Sequence, residues 1–237
     1  YVNGYPAPYQ TADTYLVAAG SGGGAAGSIM WSTDGKAWNP SLNNTFSASG
    51  RGVAWNGSLW VAAGNGGGAA GSMMWSTDGR TWNASTNPTF SANGTCVAWN
   101  GSLWVAGGTD VLAAAGSMMW STDGKFWYSS TNNTFSGLCR TVAWNGNLWV
   151  AGGDGGGPTG NLMWSTDGKF WNASTNNTFS VNGFRVAWNG SLWVAAGQGA
   201  NANESMMWST DGKFWTASPS TFSVYGFSVA WNGSLWV

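Results

Sequence analysis

Apolar residues along this chain come in short runs, broken by Gly, Asn, Asp, Ser and Thr. Residues 97–130 show one period of the pattern. Val97, Ala98 and Trp99 precede Asn100-Gly101, and a second apolar run covers residues 103–106. A Gly/Ala-rich stretch follows, then residues 118–121, then Asp123-Gly124, then residues 126–129. Aromatic and β-branched residues between Gly-rich breaks mark strands. Asn-Gly and Asp-Gly predict tight hairpin turns of type I′, in which both central residues take positive φ. No stretch combines a helical period with caps. Each period therefore predicts four short strands, A to D, with residues 131–135 linking to the next.

The pattern repeats along the chain. Trp-Ser-Thr-Asp-Gly begins at Trp31, Trp75, Trp120, Trp164 and Trp208, at spacings of 44, 45, 44 and 44 residues. Val-Ala-Trp-Asn-Gly begins at Val53, Val97, Val142, Val186 and Val229. All 20 Trp fall in these units. A period near 44 suits one four-stranded propeller blade. Each small sheet is apolar on both faces, so units must stack face to face, and radial closure protects their edges. The expected fold is all-β: a five-bladed β-propeller of four-stranded antiparallel blades over residues 15–237, with residues 1–14 as a strap or linker.

The ends predict how the ring closes. Val229 to the C-terminal Val237 repeats strands A and B. The N-terminal part supplies C and D, and Tyr15-Leu16-Val17 is a second candidate for B. One blade would be shared by both termini, with either Leu235-Trp236-Val237 or Tyr15-Leu16-Val17 displaced.

Composition narrows function. Charged residues are 7% and apolar residues 43% of the 237-residue chain, so a packed core is expected despite the low charge. A net charge of −1 offers no basic face for nucleic acid. No apolar run is long enough to span a bilayer as a helix, and the segment from Tyr1 to Pro6 does not read as a signal peptide. Cys96 and Cys139 make no framework; two buried thiols, or a disulfide between neighbouring units, both fit.

The Ser-Thr-Asp-Gly turns carry a resemblance. Residues 32–38, 76–82, 121–127, 165–171 and 209–215 resemble the Asp-box of bacterial neuraminidase-type propellers, with one residue fewer between Asp and Gly. The resemblance implies a structural role for Asp34, Asp78, Asp123, Asp167 and Asp211, which would accept from backbone amides, and an inter-blade place for the Trp. The architecture is also similar to that of five-bladed animal lectins of the tachylectin type, although the sequences do not match residue by residue.

Enzyme chemistry finds little here. A neuraminidase clamps its substrate with clustered arginines, but Arg80 lies in a Ser-Thr-Asp-Gly turn, and Arg51, Arg140 and Arg185 lie near the starts of A strands in three different units and not all in one register. Beyond the turn aspartates only Asp13, Asp110, Asp154 and Glu204 remain, with no evident pair for glycoside hydrolysis. There is no His, hence no Ser-His triad. The Gly22-Gly23-Gly24 runs lack the Lys and helix of a phosphate loop. No enzyme, metal or cofactor is expected.

Alternating strands put the A–B and C–D turns on one face, and the B–C loops with the D–A linkers on the other. Turns are nearly invariant between units, whereas loops differ. Loops on a rigid scaffold commonly bind, and amides beside aromatic rings suit neutral sugars. The candidate ligand residues are Asn44, Phe46, Asn133, Phe135, Asn177 and Phe179, although the Phe could instead plug between blades. The expected protein is a monomeric, non-catalytic, multivalent lectin-like propeller. It would be extracellular or surface-associated and bind glycans on a cell or particle surface, without nucleic acid or membrane insertion. A structural or display propeller with no dedicated ligand is the alternative.

Overall fold

A computed structural model describes residues 15–22, 27–66, 71–87, 90, 92–109, 116–132, 135–155, 160–177, 179–199, 204–219 and 222–237. Among them every regular element is a β-strand. The first unit has three strands: β1 (Leu16–Ala19), β2 (Ile29–Ser32) and β3 (Asn39–Pro40). Four complete units follow in A–B–C–D order. They are β4 (Phe46–Trp55) to β7 (Asn83–Ala84), with β5 (Trp60–Gly66) and β6 (Met73–Ser76) between, and β8 (Asn93–Trp99), β9 (Trp104–Thr109), β10 (Met118–Ser121) and β11 (Tyr128–Ser129). Then come β12 (Phe135–Trp144), β13 (Trp149–Gly155), β14 (Leu162–Ser165) and β15 (Asn172–Ala173), and β16 (Phe179–Trp188), β17 (Trp193–Gly199), β18 (Met206–Ser209) and β19 (Thr216–Ala217). Each unit is an antiparallel meander.

Strand A is longer than the sequence pattern suggests. β4, β12 and β16 run ten residues, starting at the Phe that the sequence assigns to the linker. Two register shifts interrupt the A–B pairing of each of these three strands, so bulges absorb the Ser- and Gly-rich stretch and carry the ladder past it. Strand D is shorter. It keeps two paired residues because the Asp-Gly turn continues up to the Trp before the strand begins.

The A–B turn also departs from the type I′ expectation. At Asn100-Gly101 only the glycine has positive φ (+103°). The Asn100 side chain holds the turn instead, accepting from the Ser102 and Leu103 amides at 2.9 and 2.7 Å. Asn at this place is a side-chain acceptor rather than a left-handed residue.

The core lies between the sheets. One cluster joins Ala98, Leu103, Val105 and Met118 of the third unit to Phe135, Trp149, Met163 and Trp171 of the fourth. Equivalent clusters fill the other junctions. A sheet that is apolar on both faces thus buries each against a neighbour.

The ends resolve the choice of strand B. Leu16↔Ser32 to Ala19↔Ile29 reproduces the Trp60↔Ser76 to Ala63↔Met73 register, so β1 holds the B place of the first unit. Ala230 and Val237 pair with each other in a separate C-terminal hairpin. Among the described residues no backbone hydrogen bond joins that hairpin to β1, β2 or β3.

Candidate functional site

The Ser-Thr-Asp-Gly turn is built identically in the five units. In the third, Asp123 Oδ1 accepts from the Lys125 and Phe126 amides, both at 2.8 Å, and from Ser121 Oγ at 3.0 Å. Ser121 Oγ accepts in turn from the Gly124 amide at 2.8 Å. Gly124 has φ +72°, which a side chain would strain. Partial burial pushes the Asp123 carboxyl up, but the Phe126 and Lys125 amides and the Ser121 hydroxyl outweigh it and hold the group below its ordinary value. Asp34, Asp78, Asp167 and Asp211 make the same bonds and shift the same way.

This turn aims three side chains in different directions. The Trp goes inward: Trp82, Trp127, Trp171 and Trp215 are fully buried, each indole N–H donating to the turn glycine carbonyl. The Lys or Arg reaches sideways to the previous unit. Lys125, Lys169 and Lys213 stand 4.2, 4.2 and 4.3 Å from the rings of Trp75, Trp120 and Trp164, and Arg80 lies over Trp31 and Tyr15. The residue between points to solvent. Phe126, Phe170 and Phe214 are 40, 49 and 55% exposed at one register on three consecutive units.

Beside them the third unit carries more aromatic surface. Tyr128, 45% exposed, stacks on Trp120 with centroids 4.7 Å apart and meets Phe126 at 5.2 Å. The position before the turn Trp reads Ala37, Thr81, Phe126, Phe170, Phe214. Variation beside an invariant Trp is the signal that sequence reading passed over.

The loop-face candidates sit elsewhere. Phe46, Phe135 and Phe179 are fully buried, and the Gly64, Gly153 and Gly197 backbones press against their rings. Asn44 and Asn177 are also buried; each Oδ1 accepts from the amide of its Phe at 3.0 Å. Asn133 lies outside the described residues, as do Asp13 and Asp110. The preceding Asn132 and Asn176, at φ +57° and +56°, donate across the junction to the Trp171 and Trp215 carbonyls.

The arginines do not converge. Arg140 forms a two-pronged pair with Asp154, its Nη2 at 3.0 Å from Oδ2, and lies over Phe184. Arg185 lines a cavity of about 100 Å³ between the A strands, beside Val142, Val186 and Val229. That volume suits a few waters rather than an organic ligand, which needs roughly 300 Å³ or more. Among the described residues no three His, Cys, Asp or Glu side chains gather as a metal site.

No family model and no curated protein matches the sequence. Solved structures do match the fold. A chain of a nidogen/laminin complex superposes with a TM-score of 0.63 at 9% identity, covering 94% of this chain and 84% of its own. The computationally designed Ika8 protein gives 0.56 at 9% identity, covering 86% of this chain and 62% of its own. Together with the stacked antiparallel sheets, these matches define the class: the chain has a β-propeller fold.

Proposed function

We propose that the chain is a non-catalytic, multivalent carbohydrate-binding propeller, lectin-like and acting on glycans outside the cell or on a particle surface. The observation that supports this is the exposed ring at one register on three consecutive units, Phe126, Phe170 and Phe214. Exposed aromatic surface held on a rigid frame marks recognition sites. Sugar C–H faces stack on such rings, and neighbouring hydroxyls and amides accept and donate to the ring substituents. Three weak sites at fixed spacing gain by avidity on a dense glycan surface. Glycan-array binding by the intact chain tests the reading. The triple variant Phe126→Ala/Phe170→Ala/Phe214→Ala should stay folded, because these rings are exposed, and should lose that binding. Retention of wild-type binding by the triple variant, or no glycan bound by the parent, overturns it.

A structural or display propeller is the second reading. Its support is that Asn44, Phe46, Asn177 and Phe179 are committed to internal contacts. It predicts a stable protein that binds no glycan.

We further propose that the two uncovered end faces meet, completing five blades through a shared one. Among the described residues, contacts made within and between the interior units are unmade at the ends. Phe46, Phe90, Phe135 and Phe179 pack on Gly64, Gly108, Gly153 and Gly197. Their counterparts are Phe222, 59% exposed, and Gly20, with no described residue within 4 Å of its Cβ position. Trp31, Trp75, Trp120 and Trp164 each lie under a cation of the next unit. Their counterpart Trp208 is 38% exposed, and Lys36 faces no ring among the described residues.

A further inference from the structure

Three departures from the repeat fall together at the junction of the third and fourth units. Position 139 holds Cys where the other units have Gly50, Gly94, Gly183 and Gly226. Position 96 holds Cys where they have Gly52, Thr141, Arg185 and Ser228. Position 107 is Gly where the first, second and fifth units have Ala19, Ala63 and Ala196. The missing methyl makes room for both sulfurs. A Cβ at Gly107 would stand 2.5 Å from Cys139 Sγ and 2.7 Å from Cys96 Sγ, so the two thiols share one small space. Each belongs to a strand A, Cys96 to β8 and Cys139 to β12, and both sit in the same inter-unit core. Thr95 ties the strands from the side, its Oγ1 lying within hydrogen-bond reach of both the Gly107 carbonyl, at 2.9 Å, and the Cys139 carbonyl, with one proton to share between them.

We propose that Cys96 and Cys139 are a redox pair that closes into a disulfide between two neighbouring blades. Both are free thiols in this structure. The surroundings of the two sulfurs set their order of reaction. A hydrogen bond from Cys139 draws the Cys96 thiol down, despite its burial, whereas burial pushes the Cys139 thiol up. Both cysteines are buried, so the oxidant must be small, and Cys96, whose thiol is drawn down, is the one that reacts first. With hydrogen peroxide as the oxidant, the Cys96 thiolate attacks one peroxide oxygen. An S–O bond forms, the O–O bond breaks, and hydroxide leaves as water, giving a sulfenic acid. The Cys139 sulfur then attacks the Cys96 sulfur. The S–S bond forms, the S–O bond breaks, and the second water carries away the Cys139 proton. Two electrons pass from the thiol pair to peroxide. A thiol reductant reverses the step.

Peptide mapping of the full chain after peroxide treatment tests the pair. Lys125 lies between the cysteines, so trypsin releases them on separate peptides unless they are joined. The expected result is a Cys96–Cys139 cross-linked peptide that disappears on reduction. It should be accompanied by a higher Tm in the oxidised wild type but not in peroxide-treated Cys139→Ser. The mapping itself needs no variant, so a folding defect in Cys139→Ser leaves the test intact. Both cysteines alkylated in denaturant after oxidation, or separate sulfinic and sulfonic acids without a cross-link, would overturn the proposal.

Discussion

Burial differs sharply among chemically identical residues. Trp127 and Trp38 hold the same place in the repeat, yet Trp127 is fully buried and Trp38 is 36% exposed. Trp127→Ala should cost about 3–5 kcal/mol in a urea or guanidinium titration, the range for a large aromatic ring removed from a packed core. The turn aspartates give a pH prediction. Their folded pKa lies below the unfolded value, so their contribution is present above the unfolded value of about 3.9 and is lost as pH falls through the folded pKa. The destabilisation of Asp123→Asn relative to wild type, measured by chemical denaturation, should therefore be largest near neutral pH and shrink below about pH 4. A constant difference down to acidic pH would show that the charge of Asp123 is not what holds the turn. That a turn falls at each Asp-Gly step was legible in the sequence, since turn chemistry is local, but its type I′ geometry was not borne out, because only the glycine takes positive φ there. Which atom of the Asn-Gly turn does the holding was not legible, because Asn serves as acceptor and as left-handed residue alike.

At the scale of the element, the inter-sheet plug limits what strands A and B tolerate. A Cβ on Gly108 would meet the Asn93 carbonyl at 2.2 Å and the Phe90 ring at 2.4 Å. Gly108→Ala should destabilise by about 1–3 kcal/mol, the usual cost of overpacking, although it raises no backbone objection. The cation over each C-strand Trp is more forgiving. Lys169→Gln should cost about 0.5–1 kcal/mol in thermal or denaturant unfolding, as expected of an exposed cation–π pair. Strand C could be placed to the residue from the sequence, because Met118 to Ser121 is bounded by the Gly116-Ser117 break and by the Asp-Gly turn. Strand A could not. Its Ser- and Gly-rich half looks like a linker, and only pairing with strand B, through two bulges, makes it a strand. The same pairing buries Phe46, Phe135 and Phe179, which a linear reading leaves open to a ligand.

For the molecule as a whole, the end faces supply the sharpest test of five-blade closure. If Lys36 seats on Trp208 and Phe222 on Gly20, Trp38 is covered like its four counterparts. Trp38→Ala should then cost as much as Trp127→Ala, and sedimentation should show a monomer. A much smaller loss for Trp38→Ala would mean that the first unit keeps an open face. A concentration-dependent oligomer would mean that copies meet head to tail through the same contacts.

The sequence by itself determined the all-β class, the 44-residue period, the four-strand unit and the turns that punctuate it. Those features follow from local conformational preference and from the periodicity of apolar residues, both carried by neighbours in the chain. Only the tertiary structure decided which of the equivalent aromatics are buried, that β1 takes the B place beside β2, and that Cys96 and Cys139 meet above Gly107. The burial of the aromatics and the meeting of the cysteines depend on which surface lies across a junction about 44 residues away, and the place of β1 on which of two similar segments pairs with β2; no local property of the chain encodes either.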